Sequence, residues 1–242
     1  MLPVWSISAR LEEKEYEVDR RMLEDGDKGA IIQRDKATYA VAPHIPCGVV
    51  TPDLLRRLAD VAEKYDAAAL KITSAARIAI VGLKEEDVDG VWQDLEMDPG
   101  AAVGICVRSV KACPGTTFCK RGQQDSLAVG MLMDKKYHGV EMVGKMKMGV
   151  SGCPNQCAET QLKDIGLVGT AKGWRVLVGG KGGAIARLAD VIAKDLSTDD
   201  ALNLIERVLD YYQENAKPRE RLGKTIDRLG LDHLLESLGM KA

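Results

Sequence analysis

Four of the six cysteines form two tight pairs, Cys113-Pro-Gly-Thr-Thr-Phe-Cys119 and Cys153-Pro-Asn-Gln-Cys157. Five residues separate the first pair, 33 lie between the pairs, and three separate the second. Thiolate is a soft ligand, so four such groups can hold one soft metal centre. Structural zinc sites usually place about two to four residues between paired ligands. The wider first gap favours an iron–sulfur cluster over zinc; zinc and ordinary buried thiols stand as alternatives. If the four thiolates do hold such a cluster, the protein is a redox enzyme or an electron carrier. Cys47 and Cys106 stand alone and are expected to pack as small buried hydrophobes.

Basic residues accompany the cysteines. Arg108 precedes Cys113 by five positions, and Lys145 and Lys147 alternate just ahead of Ser151-Gly152-Cys153. On a strand, residues two apart point to one face. Two ammonium groups would then meet at one spot beside the metal, which suits a small oxyanion or the carboxylates of a cofactor. The plainer alternative is a solvated strand face.

These residues need a scaffold. The 242-residue chain is 45% hydrophobic and 29% charged, which fits a soluble globular protein with one large or two small cores. A net charge of −2 gives no electrostatic reason to expect nucleic acid, and a single phenylalanine, Phe118, argues against base stacking. No run approaches the ~20 apolar residues of a membrane helix. Met1–Arg10 lacks the features of a signal peptide, so a cytoplasmic location is expected, where clustered cysteines bind metal rather than pair.

Residues 1–28 read as a charged extension. Residues 29–98 give a small α+β unit of ferredoxin-like type, ordered strand, helix, strand, strand, helix. Its first strand is Tyr39–Val41. Thr51-Pro52 starts a helix as N-cap and first-turn proline, with Leu54, Leu55, Leu58, Val61, Ala62 and Tyr65 at helical spacing. Ala69–Thr73 and Arg77–Gly82 read as a strand pair, and Glu85–Leu95 as a second helix. Residues 99–242 carry the cysteines in a mixed α/β domain with a helical C-terminal part. Here Ser126–Met133 is expected as helix and Lys145–Val150, Ile165–Gly169 and Trp174–Val178 as strands. Ser197 with Asp200 resembles a capping box, ahead of an apolar stripe of Leu202, Ile205, Val208, Leu209 and Tyr212.

Three segments carry a family likeness: Lys111–Cys119, Lys145-Met-Lys-Met-Gly-Val-Ser-Gly-Cys-Pro-Asn-Gln-Cys157 and Lys163-Asp-Ile-Gly-Leu-Val-Gly169. They resemble the sirohaem and iron–sulfur region of sulfite and nitrite reductases. Ile45–Val50 and Leu70–Gly82 are similar to that family's ferredoxin-like half-domain, and Arg221–Leu231 to its tail.

The resemblance implies that Cys113, Cys119, Cys153 and Cys157 bind a [4Fe-4S] cluster, with Cys157 shared with the iron of sirohaem. It implies that Arg108, Lys145 and Lys147 surround a bound sulfite or nitrite and help protonate departing oxygens. His44 stands where the family usually has a fourth substrate arginine. Ala75 falls where many members have a sirohaem-binding arginine, and Arg77, two positions on, could replace it. Thr73, Thr116 and Asn155 are further cofactor contacts by the same likeness.

The chain shows one copy of each module, as in the small assimilatory-type sulfite reductases, and a homodimer could rebuild the two-fold arrangement of longer members. Electrons are expected from a separate donor, such as a ferredoxin or a partner reductase subunit. Nitrite reduction to ammonia, or a non-catalytic electron-transfer role, are the alternatives to sulfite reduction.

Overall fold

Two sheets, one antiparallel and one mixed, each with its own helices, make up the described residues. The structure is a computed structural model that describes residues 22–240. Most of the charged extension expected over residues 1–28 lies outside the described residues.

The first sheet holds β1 (Ala30–Ile32), β2 (Tyr39–Val41), β3 (Ala69–Ile72) and β4 (Ile78–Leu83), in the order β1-β2-β4-β3 and antiparallel throughout. Helix α1 (Pro52–Lys64) begins as expected, with the Thr51 hydroxyl accepting from the Leu54 N–H. Helix α2 (Val88–Leu95) is shorter than the sequence suggests, because Glu85–Asp87 form a tighter 3-10 turn ahead of it. Leu58 and Val61 of α1 pack with Val91 and Leu95 of α2 over Val41, Ile80 and Leu83 of the sheet. Burying side chains of this size contributes about 1.5–3 kcal/mol each before the cost of ordering the chain. Leu55, counted in the apolar stripe of α1, faces outward instead.

The second sheet holds β5 (Val107–Ala112), β6 (Met146–Ser151), β7 (Ile165–Thr170), β8 (Gly173–Val178) and β9 (Asp190–Leu196), side by side in that order. The first three strands are parallel and the last two antiparallel. Parallel neighbours need a long crossover. Between β5 and β6 it carries a one-turn helix α3 (Gly115–Phe118) and α4 (Ser126–Tyr137), which runs one turn past the expected end. Val129, Met133 and Tyr137 of α4 join Met146, Met148, Val150 and Leu167 in one large core.

Helix α5 (Thr198–Asn215) buries Ile205, Val208, Leu209 and Tyr212 of the expected stripe in that core, and α6 (Leu222–Leu229) and α7 (Leu231–Ser237) follow. The Ser197 hydroxyl accepts from the Asp200 N–H at the start of α5.

Strands β1, β5 and β9 escape the sequence reading. β1 has only three residues, and charged residues break the apolar pattern of Val-Arg-Ser-Val-Lys-Ala and Asp-Val-Ile-Ala-Lys-Asp-Leu. The cap at Ser197 gives a direct check. Ser197→Ala is expected to lower stability by about 1 kcal/mol in equilibrium denaturation, and an unchanged midpoint would contradict its capping role.

Candidate active site

Parallel pairing of β5 with β6 sets Ala112 beside Val150, so the loops leaving both strands start side by side. Cys113 opens the first loop and Cys153 lies two residues into the second. The loops are stitched together. The Cys113 N–H donates to the Val150 carbonyl at 3.0 Å, and the Gln123 and Gln124 N–H groups both donate to the Gly152 carbonyl, at 2.7 and 3.0 Å. Gly152 is glycine for a steric reason, since a Cβ there would sit 2.7 Å from the Gln124 carbonyl oxygen.

The Cys113 Sγ accepts from the Gly152 N–H at 3.1 Å and lies 3.2 Å from the Ser126 hydroxyl. Cys153 is buried, Cys113 half-buried, and Cys119 and Cys157 are exposed. Among the described residues, no three His, Cys, Asp or Glu side chains converge where a single ion could bind them. The donor set of four thiols on two joined loops fits a [4Fe-4S] cluster.

Beside these loops lies a cavity of about 330 Å³. Ser109 and Lys111 of β5 line it together with Lys145 and Lys147, and residues two apart share a face as the strand geometry requires. A bulge at Arg108 shifts the register so that Ser109 pairs with Lys147. Lys163 and Arg221 complete a set of five cationic side chains against one carboxylate, Glu159. Glu159 takes Lys111 at 3.3 Å and Lys163 at 3.1 Å. Lys145 and Lys147 make no ion pair among the described residues. Burial, then Arg108 and Arg221, holds the Lys145 ammonium below the ordinary lysine value. Burial, then the neighbouring Lys145 and Lys163, does the same to Lys147. Crowded cations with few counter-charges suit an oxyanion or a polycarboxylate such as a sirohaem rim.

A fully buried carboxylate supports this face. Asp164 accepts from Arg221 Nε at 2.7 Å and Nη2 at 2.6 Å, and from the Lys147 N–H at 2.7 Å. Its own N–H donates to the Lys147 carbonyl at 2.9 Å. The segment before Arg221 lies along the approach to β6. The Arg219 N–H donates to the Val143 carbonyl at 2.8 Å, and the Tyr212 hydroxyl donates to the Glu220 carbonyl. Gly144 fits beneath that carbonyl, where a Cβ has no room.

The other expected site residues are placed differently. Arg108 stays close enough to depress both lysines, while its guanidinium donates to the Ala102 and Gly104 carbonyls, each at 3.0 Å. Arg77 is buried and donates to the Arg108 carbonyl, and the Thr73 hydroxyl accepts from the Arg77 N–H. The turn around Thr73 does reach the cavity, through Ser74 and Ala75.

His44 is not among the residues that line the cavity. Its Nε2 lies 2.8 Å from Asp134 Oδ2, and its ring stacks on His138 at 3.5 Å. Burial and His44 push His138 down to about 4. Thr116 and Asn155 lie exposed on the two cysteine loops. Both lone thiols, Cys47 and Cys106, are buried, and burial followed by Asp134 pushes Cys47 up to about 12. Lys111, Lys163, Arg221 and Asp164 went unnoticed as site residues, although the Lys111, Lys163-Asp164 and Arg221 motifs all carried the family likeness.

Comparisons with known proteins bear on the same segments. A family model described as "Nitrite and sulphite reductase 4Fe-4S domain" matches residues 103–242. One described as "Nitrite/Sulfite reductase ferredoxin-like half domain" matches residues 31–98. The chain is 45% identical over 216 residues to an assimilatory-type sulfite reductase of Nitratidesulfovibrio vulgaris, covering 89% of this chain and 99% of that protein. It is 42% identical to a nitrite reductase [NAD(P)H] of Bacillus subtilis over 85% of this chain, but spans only 25% of that longer protein. Among solved structures, dissimilatory sulfite reductase I aligns with a TM-score of 0.76 at 18% identity, over 85% of this chain and 70% of that one. Mycobacterium tuberculosis NirA aligns with a TM-score of 0.71 at 17% identity, over 84% of this chain and 41% of that one. At such identities these two support the fold.

The depressed lysines make stability depend on pH. Below its native pKa, charged Lys147 is held in an unfavourable place that the unfolded chain relieves. Between that lowered value and 10.5 the unfolded state binds more protons, so stability rises with pH across that window. Lys147→Met is expected to stabilise the cofactor-free protein at pH 7, with the gain shrinking as pH climbs toward 10.5. Denaturation midpoints across pH test this, and a loss of stability at pH 7 would contradict it.

Proposed function

The chain belongs to the nitrite and sulphite reductase family, and we propose that it reduces sulfite to sulfide at the cationic cavity beside the cysteine loops. Its cofactors are sirohaem and a [4Fe-4S] cluster. The observation that carries the reading is the pair of ammonium groups without an ion pair, Lys145 just ahead of β6 and Lys147 on it, on the segment that leads into Cys153.

Cys113, Cys119, Cys153 and Cys157 are the residues that would hold the cluster, with Cys157 also facing sirohaem. When bound, the two groups supply electrons one at a time and an iron that takes the anion. The chain's own side chains do the rest. Lys145 and Lys147 offset the charge of sulfite, an attraction strengthened where water is scarce. Their lowered pKa values make each Nζ a readier proton donor than an ordinary lysine, suited to oxygens that leave as water. Arg108, fixed by two carbonyls, keeps a permanent positive charge close by and depresses both lysines. The turn Ser74-Ala75 lines the cavity from the ferredoxin-like unit.

Nitrite reduction to ammonia is the second reading. The nitrite reductase relatives favour it, and a cage of ammonium groups accepts either anion. The reductant comes from outside, and a ferredoxin or a partner reductase subunit is our assignment. A homodimer and a cytoplasmic location complete the proposal. The location rests on the cysteine usage, since four clustered metal-ligating cysteines and two lone thiols, Cys47 and Cys106, suit a reducing compartment. No helix among the described residues is long and apolar enough to cross a membrane.

Purified protein should show isobacteriochlorin absorption and turn over sulfite, nitrite or both with reduced methyl viologen; a colourless protein with stoichiometric zinc would overturn the assignment. Lys147→Ala is expected to keep its cofactors and lose about 100-fold in kcat, the scale of one removed transition-state donor. Cys157→Ser should lose the electronic coupling between tetrapyrrole and cluster, seen in their spectra, and unchanged activity in that variant would refute the shared ligand.

A further inference from the structure

Arg221 lines the same cavity as Lys145 and Lys147. An arginine carries five N–H donors in a planar fork. Asp164 takes one edge of that fork, through Nε at 2.7 Å and Nη2 at 2.6 Å. The remaining donors, two on Nη1 and one on Nη2, have no hydrogen-bond partner among the described residues. The Arg221 side chain is 16% exposed and that of Asp164 0%, so a buried carboxylate holds a largely buried fork on a residue that lines the cavity.

Charge separates Arg221 from its neighbours. Lysines crowded together lose protons readily, whereas a guanidinium stays charged. Lys145 and Lys147 are both held below the ordinary lysine range, and Arg221 is among the causes for each. The cavity thus pairs two groups able to give up protons with one that cannot.

Asp164 does more than pair with Arg221. Its side chain accepts the Lys147 N–H, and its own N–H donates to the Lys147 carbonyl, so it holds both backbone polar groups of Lys147. One buried carboxylate therefore sets the position of two cavity cations. One of them comes from β6. The other comes from the start of α6, 57 residues further along the chain than Asp164.

We infer that Arg221 is a permanently charged oxyanion-binding residue of the cavity, and that Asp164 is its positioning residue, shared with Lys147. The inference rests on the cavity being the sirohaem and anion site. The oxyanion it meets is either the substrate or a carboxylate of the tetrapyrrole, and both share the chemistry of a fork-shaped contact.

The test compares Arg221→Lys, Asp164→Asn and the double variant in the full-length protein. One arm follows uptake of sirohaem by cofactor-free protein through its absorption. The other measures KM for sulfite in the loaded enzyme. A tetrapyrrole contact weakens uptake by about ten-fold in Arg221→Lys, the scale of one lost charge-assisted hydrogen bond, with little change in KM. A substrate contact raises KM by about the same factor and leaves uptake intact. Asp164→Asn should move the same arm, and the double variant should be no worse than the worse single, because both act through one contact.

Wild-type uptake and KM in Arg221→Lys overturn the inference, and so do additive effects in the double variant. Should Asp164→Asn fail to fold, Arg221→Lys and Arg221→Met, which keep Asp164, decide the matter by the same two arms. Uptake is read without turnover. A protein that takes up sirohaem but reduces neither anion sinks the functional reading and leaves this one standing.

Discussion

Parallel pairing between β5 and β6 is the constraint on which the site depends. It places the carboxyl ends of two neighbouring strands together, so that loops separated by 33 residues in sequence begin at the same place. The same pairing lays Lys111 and Lys147 on one cavity wall. Cluster loops and anion cavity are thus two consequences of one register. A slip of one residue would turn each lysine to the opposite face and break both.

Around that pairing the protein accepts an electrostatic cost. Five cations line a small space with one carboxylate among them, and the crowding shows in the lowered pKa values of Lys145 and Lys147. The cost is offset from behind, by Asp164 buried under Arg221 and by Glu159 between Lys111 and Lys163. An anionic ligand relieves the remaining repulsion. Binding and stability are linked in this way, since a ligand that binds only the folded state also stabilises it.

Local chemistry made much of the fold legible in the sequence. Thr51-Pro52 and Ser197 announce helix starts by side-chain capping, and the strand around Leu167 reads as an apolar run with glycines, while those around Met148 and Val176 alternate apolar with charged residues. The cysteine pairs and the Lys-x-Lys strand announce the chemistry for the same reason, because ligand type and period need no tertiary knowledge. β5 was hidden because Arg108 and Lys111 interrupt its apolar pattern, although both serve the site region. The Asp164–Arg221 pair joins residues 57 apart, and no local period encodes such a contact. His44 shows the opposite limit. Its position suggested an anion contact, but Asp134 and His138, far along the chain, engage its ring.

The central claim is that Lys145 and Lys147 form the anion site of a sirohaem protein whose cluster rests on the four paired cysteines. Titration of sulfite into oxidised wild-type protein, read through tetrapyrrole absorption, tests it most directly when compared with a variant lacking both lysines. The account predicts a saturable spectral change in the wild type and about a hundred-fold weaker response in the double variant at equal tetrapyrrole content, as expected for two lost charge-assisted contacts. Equal affinity in the two proteins would contradict it.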